Sequence, residues 1–430
     1  MEPQLKSADI ARLGRAERDT PITNRKQFVN ETTRVRHVVE IREDADDTEA
    51  YVFEKAGPRK RIFFDPNECR AAILTCGGLA PGLNNVIRSI VIELHFHYGV
   101  SSIWGIPKGY LGLNPAAGLE PIPLTPEMVD DIHTEGGTLL GSSRGRQDTA
   151  VMLDYMVKQG INQLYCIGGD GTLRAATEMA EEVQARGLHI AVIGIPKTID
   201  NDVFYCDRTF GYLTAVDAAR NVLEVAHVEA KGIDRGIGLV KVMGRDAGFI
   251  ACGATIASQK VNFTLIPEVP FALDGANGFL AVLEQRMDAR DHALIAVAEG
   301  AGQDLMTDAA RGTDASGNQR YGDIGLFLSE RINSHFDDIG KPVEVKYINP
   351  SYIVRGIPAN SEDGILCDQL ARDAVHAAMA GKTSCMVSFL NNRMVYVPLQ
   401  LAVGRKKHVD LAGPLWQSVL ASTGQPPAFG

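Results

Sequence analysis

From Ala71 onward, short apolar runs alternate with glycine-containing turns: AAILTCGG, SIWGIPKG, QLYCIGGDG, IAVIGIPKTID, GIGLVKVMG and ALIAVAEG. Each run predicts a buried strand that ends in a loop. Helical periodicities lie between them, such as Leu173, Ala176, Ala180 and Val183, or Leu213, Val216, Ala219 and Val222. Strands alternating with helices at this spacing predict an α/β fold with mostly parallel sheets covered on both faces. The chain of 430 residues accommodates two doubly wound, Rossmann-like lobes, with a site expected in the cleft between them. No tandem repeat interrupts this pattern.

Two stretches depart from it. Residues 1 to about 60 are polar, with an acidic cluster at Glu43, Asp44, Asp46 and Asp47, and read as an extension partly ordered at best at its start. Residues 302–323 are polar and glycine-dotted, and read as a loop insertion.

Composition narrows the class. With 45% hydrophobic residues the expectation is a packed, enzyme-sized soluble protein. A net charge of -10 argues against general nucleic-acid binding, which needs a basic surface. Any bound anion must therefore meet locally placed Arg and Lys. Seven scattered cysteines without a CxxC pair read as reduced thiols and not as a zinc site. No apolar run approaches a membrane span, and the first residues lack a signal-peptide core, so a cytoplasmic location is expected.

The unusual residues gather in five loops that follow strands, where open α/β sheets bind ligands. Thr75 to Asn84 carries glycines, Gly78 among them, that let backbone approach a nucleotide ahead of a helix start. Gly141 to Arg146 sets Arg144 beside Gly145, which suits a phosphate but also describes an exposed surface arginine. In Gly168-Gly169-Asp170-Gly171-Thr172, the glycines make room for polyphosphate, Asp170 is a candidate Mg2+ ligand, and Thr172 offers a hydroxyl. Ile195 to Asp202 concentrates Lys197, Thr198, Ile199, Asp200, Asn201 and Asp202. Asp200 fits a base for an acceptor hydroxyl and Lys197 a cation at the transferring phosphoryl, with a turn carboxylate as the plainer reading. Met243 to Phe249 is expected to place Arg245 at a helix start. Glu299, Lys346, Tyr352 and Arg355 follow downstream; taken singly, Glu299 and Lys346 read as structural or surface residues.

GGDGT, PKTIDND, MGRDAGFIA, AEGAGQ and NPSYIVRG, in that order over about residues 50 to 400, resemble the phosphofructokinase family, in its plant, trypanosomatid and related bacterial branch. The resemblance implies ATP-dependent phosphorylation of fructose 6-phosphate at its 1-hydroxyl, the committed step of glycolysis, by a cytoplasmic, allosteric homo-oligomer. It implies Asp200 as base, Lys197, Arg245 and Gly171 in the catalytic group, and Asp170 as organiser of Mg2+. Gly78, Arg144, Gly145, Gly169, Gly171 and Thr172 would surround the nucleotide. Thr198, Ile199, Met243, Gly244, Arg245 and Glu299 would meet the sugar, with Tyr352, Arg355 and Lys346 at its 6-phosphate. The implied domains are an extension over 1–69, a nucleotide lobe over 70–212 with about 357–400, a sugar-phosphate lobe over 213–356, and a C-terminal segment over 401–430 packing back on both. Compact bacterial members have Arg where Lys346 stands and His where Tyr352 stands. They also carry an Arg that reaches the neighbouring subunit at the position of Gly236, which puts cross-subunit completion of the site in doubt.

Family members use ATP or pyrophosphate as donor. An aspartate at the position of Gly171 accompanies pyrophosphate and would crowd a nucleotide, so Gly171 favours ATP. Lys197 points toward pyrophosphate but also occurs in plant and trypanosomatid ATP enzymes. An NAD kinase-like or lipid-kinase activity and a catalytically silent regulatory homologue are the other readings, the first because GGDGT also occurs in such kinases.

Overall fold

The computed structural model describes residues 6–23, 27–40, 51–306, 312 and 320–430. They form two compact units: Met1–Thr198 with Val203–Gly211 and Gly356–Arg405, and Ile199–Asp202 with Tyr212–Arg355 and Lys406–Gly430.

In the first unit β3 (Arg70–Thr75), β4 (Ser102–Ile106), β5 (Gln163–Gly168) and β6 (Ala191–Pro196) run parallel in the order β6-β5-β3-β4. Every residue of β5 and β6 is buried, because helices cover both faces and leave no solvated side. Alternate strand residues serve opposite faces. Ile73, Tyr165 and Ile193 pack with α1 (Leu83–Ile92) and α8 (Ser361–Met379). Leu74, Cys166 and Val192 pack with α2 (Thr149–Gln159) and α3 (Asp170–Ala185). Because β4 and β5 lie on opposite sides of β3, the winding reverses between β3 and β5, where loops diverge and leave a crevice.

The second unit holds a four-stranded parallel sheet in the order β8 (Phe263–Leu265), β9 (His292–Ala298), β7 (Gly236–Val242), β10 (Glu344–Ile348). On one face lie α6 (Phe279–Arg290) and α7 (Ile324–Asp338); α4 (Tyr212–Gly232) and α5 (Phe249–Ser258) cover the other. Both units are thus doubly wound α/β, as expected. All seven cysteines are buried and free, and no described helix is long and apolar enough to cross a membrane.

Three expectations need correction. The N-terminal stretch does not hang off the fold: β1 (Lys6–Ala8) pairs with β2 (Tyr51–Lys55), and β2 joins the main sheet through β12 (Arg393–Pro398), next to β11 (Cys385–Leu390). One cluster of its charges is paired inside the unit. Lys382 reaches Glu54 at 2.5 Å and Glu31 at 3.1 Å, while Arg59 reaches the same two carboxylates at 2.8 and 3.1 Å. Glu54, Arg59 and Lys382 are almost wholly buried. Residues 1–5 and the cluster Glu43, Asp44, Asp46 and Asp47 lie outside the described residues.

The second concerns the stretch 70–212: the long run of the second unit starts at Tyr212, but Ile199–Asp202, inside that stretch, also belongs to the second unit. The third concerns the C-terminal segment. Of 401–430, the residues up to Arg405 belong to the first unit and Lys406–Gly430 to the second, where Phe429 sits 5.4 Å from Phe279 and Gln425 bonds both backbone groups of Thr264 at the edge of the sheet.

Lys382→Met leaves Glu54 buried with one cation fewer and is expected to lower unfolding stability by up to about 3 kcal/mol, read as the urea midpoint at neutral pH. Burial pushes the Glu31 carboxyl up, but Arg12, Lys382 and Arg59 outweigh it and hold the group at about 2. Its stabilisation is complete above the ordinary value of 4.5 and is lost as pH falls toward 2, so the midpoint should drop within that window and Glu31→Gln should flatten the drop.

Candidate active site

Parallel register brings three loops of the first unit to one level. Thr75 pairs with Ile167, and Gly168 with Pro196, so the loops after β3, β5 and β6 leave side by side. Lys197, only 6% exposed, ties them together: its N–H donates to Gly168 O at 3.0 Å and its ammonium to Gly78 O at 2.6 Å. The Gly141–Arg146 loop is laced to the same place. Ser142 donates to Gly77 O at 2.6 Å, Thr75 to Gly141 O at 2.6 Å, and Arg144 and Gly145 stand exposed.

Within GGDGT, Gly169 caps α3 without any side-chain hydrogen bond to the first turn. No side chain therefore caps the first N–H groups at the positive end of the helix dipole, although Thr172 N already donates to Gly169 O at 2.9 Å. Asp170 stands in that first turn and pairs with Arg174 at 2.8 Å. Among the described residues no cluster of three His, Cys, Asp or Glu could hold a metal. A lone accessible carboxylate suits Mg2+, which keeps most of its waters and takes further oxygens from phosphates. Thr172 departs from expectation: it is buried, and its hydroxyl lies 2.1 Å from where a Gly168 side chain would begin. Thr172 thus explains why residue 168 is glycine. Gly171 is the opposite case. It is exposed, a Cβ there would meet nothing within 4 Å, and its backbone is not in the left-handed region. Nothing in the chain itself requires glycine at that position.

In the second unit, Val242 pairs with Ala298 and Val240 with Ile348, so MGRDAGF, AEG and NPSYIVRG leave the sheet at the same end. Gly300 N donates to Gly244 O at 3.0 Å, and a side chain on Gly300 would start 1.8 Å from Arg245 O. That close approach holds Glu299 beside Arg245. Arg245 is not at a helix start: α5 begins at Phe249, and the cap N–H of Gly248 is taken by both Glu268 oxygens at 3.0 and 3.1 Å. Freed from the helix, Arg245 lays its guanidinium over the Tyr321 ring at 4.2 Å and directs its backbone N–H to Asp200 at 3.5 Å.

Asp200 is partly enclosed, with the buried Ile199 before it. Burial, then the nearby charges of Asp202 and Glu299, push its carboxyl up to about 7, against the pull of the Arg245 N–H and Lys406. Glu299 is likewise raised by burial, while Lys241, Arg245 and Arg355 oppose the shift. Arg355 stacks over Tyr352 at 5.0 Å, and Tyr352 is 78% exposed.

Lys346 does not join this group. It sits in mid-strand, opposite Gly238, and pairs with Glu344. Lys241 supplies the cation near Glu299, and it also binds Asp323 at 2.7 Å. At Gly236 a side chain would begin 2.1 Å from Ala230 O, so no arginine fits, and Arg235 pairs with Asp288. Sequence reading missed Tyr321, Glu268 and Lys406. Tyr321 lies near the end of the stretch read as a loop insertion, and Asp323, its last residue, caps α7; residues 307–311 and 313–319 lie outside the described residues. Only the basic run Arg405-Lys406-Lys407-His408 offered a signal for Lys406.

The family Phosphofructokinase matches residues 70–378. The chain belongs to the phosphofructokinase family. It is 45% identical to the ATP-dependent 6-phosphofructokinase of Borreliella burgdorferi, across 97% of this chain and 96% of that one. It is 46% identical to ATP-dependent 6-phosphofructokinase 7 of Arabidopsis thaliana, across 88% and 78%. The corresponding protein of Trypanosoma cruzi is 43% identical, across 85% and 75%. The fold is shared with a pyrophosphate-dependent phosphofructokinase from Marinobacter aquaeolei, at TM-score 0.68 and 20% identity over 84% of this chain and 93% of that one. Family membership does not favour the NAD kinase-like reading.

Because a side chain at residue 171 meets open space in the first turn of α3, Gly171→Ala should leave stability unchanged or raise it by up to about 1 kcal/mol. Urea unfolding measures this, and a fall in the midpoint would contradict the open geometry.

Proposed function

We propose that the chain is an ATP-dependent 6-phosphofructokinase that transfers the terminal phosphoryl group of ATP to the 1-hydroxyl of fructose 6-phosphate, giving fructose 1,6-bisphosphate and ADP at the committed step of glycolysis. The observation that carries this reading is Asp200, a carboxylate held near neutrality beside Arg245 and Glu299. Such a group takes a hydroxyl proton efficiently at physiological pH. As the phosphoryl group moves, the 1-hydroxyl oxygen bonds to phosphorus, its proton passes to Asp200, and ADP leaves with the bridging electrons. Arg245 is the cation assigned to the transferring charge.

Glu299 orients sugar hydroxyls, and Thr198, Ile199, Met243 and Gly244 shape the sugar site. Arg355 and Tyr352 take the 6-phosphate, with Lys241 and not Lys346 as the nearby cation. The donor lies along Gly78, Arg144, Gly145, Gly169 and Gly171 at the uncapped start of α3. Asp170 is placed to hold Mg2+ through water, and the ion when bound neutralises phosphate charge. The empty space beside Gly171 favours ATP, since an aspartate there would set a second negative charge against the nucleotide. Lys197 holds Gly78 and Gly168, a structural duty that both donors tolerate. A cytoplasmic homo-oligomer without nucleic-acid or membrane partners completes the reading.

With fructose 6-phosphate and Mg2+, the purified protein should form the bisphosphate from ATP and not from pyrophosphate, followed with an aldolase-coupled assay. The reverse preference would transfer the assignment to a pyrophosphate enzyme, and inactivity with both would support a silent homologue. Asp200→Asn should lower kcat by about 100-fold or more with little change in sugar-phosphate binding. Since the base works only when ionised, kcat/KM should decline as pH drops through about 7, the value to which Asp200 is raised in the free protein.

A further inference from the structure

Four residues near the C-terminus form a strap across the loops that hold Asp200 and Arg245. Lys407 N donates to Asp202 O at 2.9 Å, the His408 ring meets Asp246 O at 2.9 Å, and Val409 N donates to Glu268 at 2.8 Å. Glu268 is the carboxylate that also binds the Gly248 N–H at the start of α5. Lys406 stands at the head of this strap. Its ammonium contacts the Asp246 carboxylate closely and lies 3.5 Å from that of Asp202. Asp202 is two residues beyond Asp200, and Asp246 directly follows Arg245. The strap lies beyond the stretch 70–378 by which the chain matches its family.

One cation therefore serves two carboxylates that flank the catalytic group. Asp200 is faced by Asp202, Glu299, Lys406 and the Arg245 N–H. Asp246 is faced by Lys406 and by the Tyr321 hydroxyl at 3.4 Å. Without Lys406, Asp202 and Glu299 would act on Asp200 with less opposition, and the loop of Asp246 and Arg245 would lose its ionic link to Asp202.

We propose that Lys406 is a positioning residue for phosphoryl transfer: by spanning Asp202 and Asp246 it holds both loops in register and screens Asp200 from its acidic neighbours. This rests on the reading of Asp200 as the base. The charge of Lys406 keeps Asp200 ionised at lower pH, so its removal shifts the acid limb of the rate profile upward.

The test compares full-length Lys406→Met and Lys406→Arg with the native protein, with folding checked by thermal melting. Lys406→Met should move the acid limb of kcat/KM up by about one pH unit, which is close to a tenfold loss below the limb. Most activity should return by pH 9, and KM for fructose 6-phosphate should change less than about twofold. Lys406→Arg should restore the native profile. A native limb in Lys406→Met, or an equal loss at every pH, overturns the inference. The Asp200 carboxyl can also be titrated without turnover, by carbon-13 NMR of aspartate-labelled protein assigned through Asp200→Asn. A native titration of Asp200 in Lys406→Met overturns the role of Lys406 whatever the kinetics. An active Asp200→Asn instead removes Asp200 as base and leaves the titration shift as the measure of the strap.

Discussion

Parallel strands exchange hydrogen bonds in a fixed register, and the loops that carry most of the candidate residues depend on it. Pairing Thr75 with Ile167 and Gly168 with Pro196 delivers three glycine- and lysine-bearing loops to one level of the first sheet. Pairing Val242 with Ala298 and Val240 with Ile348 does the same for Arg245, Glu299 and Arg355 in the second. A slip by one residue would reverse which side chains face the helices on each strand. The burial of both sheet faces is what forbids the slip.

Glycines then convert register into chemistry, in two different ways. Gly168, Gly236 and Gly300 are glycine because neighbouring atoms occupy the space of a side chain. Gly171 has no neighbour within 4 Å of the space its side chain would take, so packing within the chain does not require a glycine there. Distinguishing the two needs coordinates, since a glycine looks the same in either case along the chain.

Charge in this acidic protein acts through local pairing. Glu31, Glu54, Arg59 and Lys382 satisfy one another inside the first unit, and Lys406, Asp202 and Asp246 do so beside Asp200. The first group fastens an N-terminal strand to the sheet. The second sets the electrostatic surroundings of the Asp200 carboxyl, which burial and acidic neighbours push up to about 7. Both groups join residues far apart in sequence, and in both the partners of a charge decide what it does.

Strand and helix patterns, the placement of GGDGT and PKTIDND after strands, and the prominence of Asp200 and Gly171 were all determined by the sequence alone. These are local properties: side-chain periodicity and turn chemistry act over a few residues. The tertiary structure decided what depends on distant contacts. It bound the polar N-terminal stretch into the sheet, turned Thr172 onto Gly168, ended the approach to α5 with Glu268, replaced Lys346 by Lys241 beside Glu299, and brought Tyr321 and Lys406 to the site. Which partner a side chain meets is fixed by how the sheets and helices pack, and one polar residue on its own carries no record of that partner.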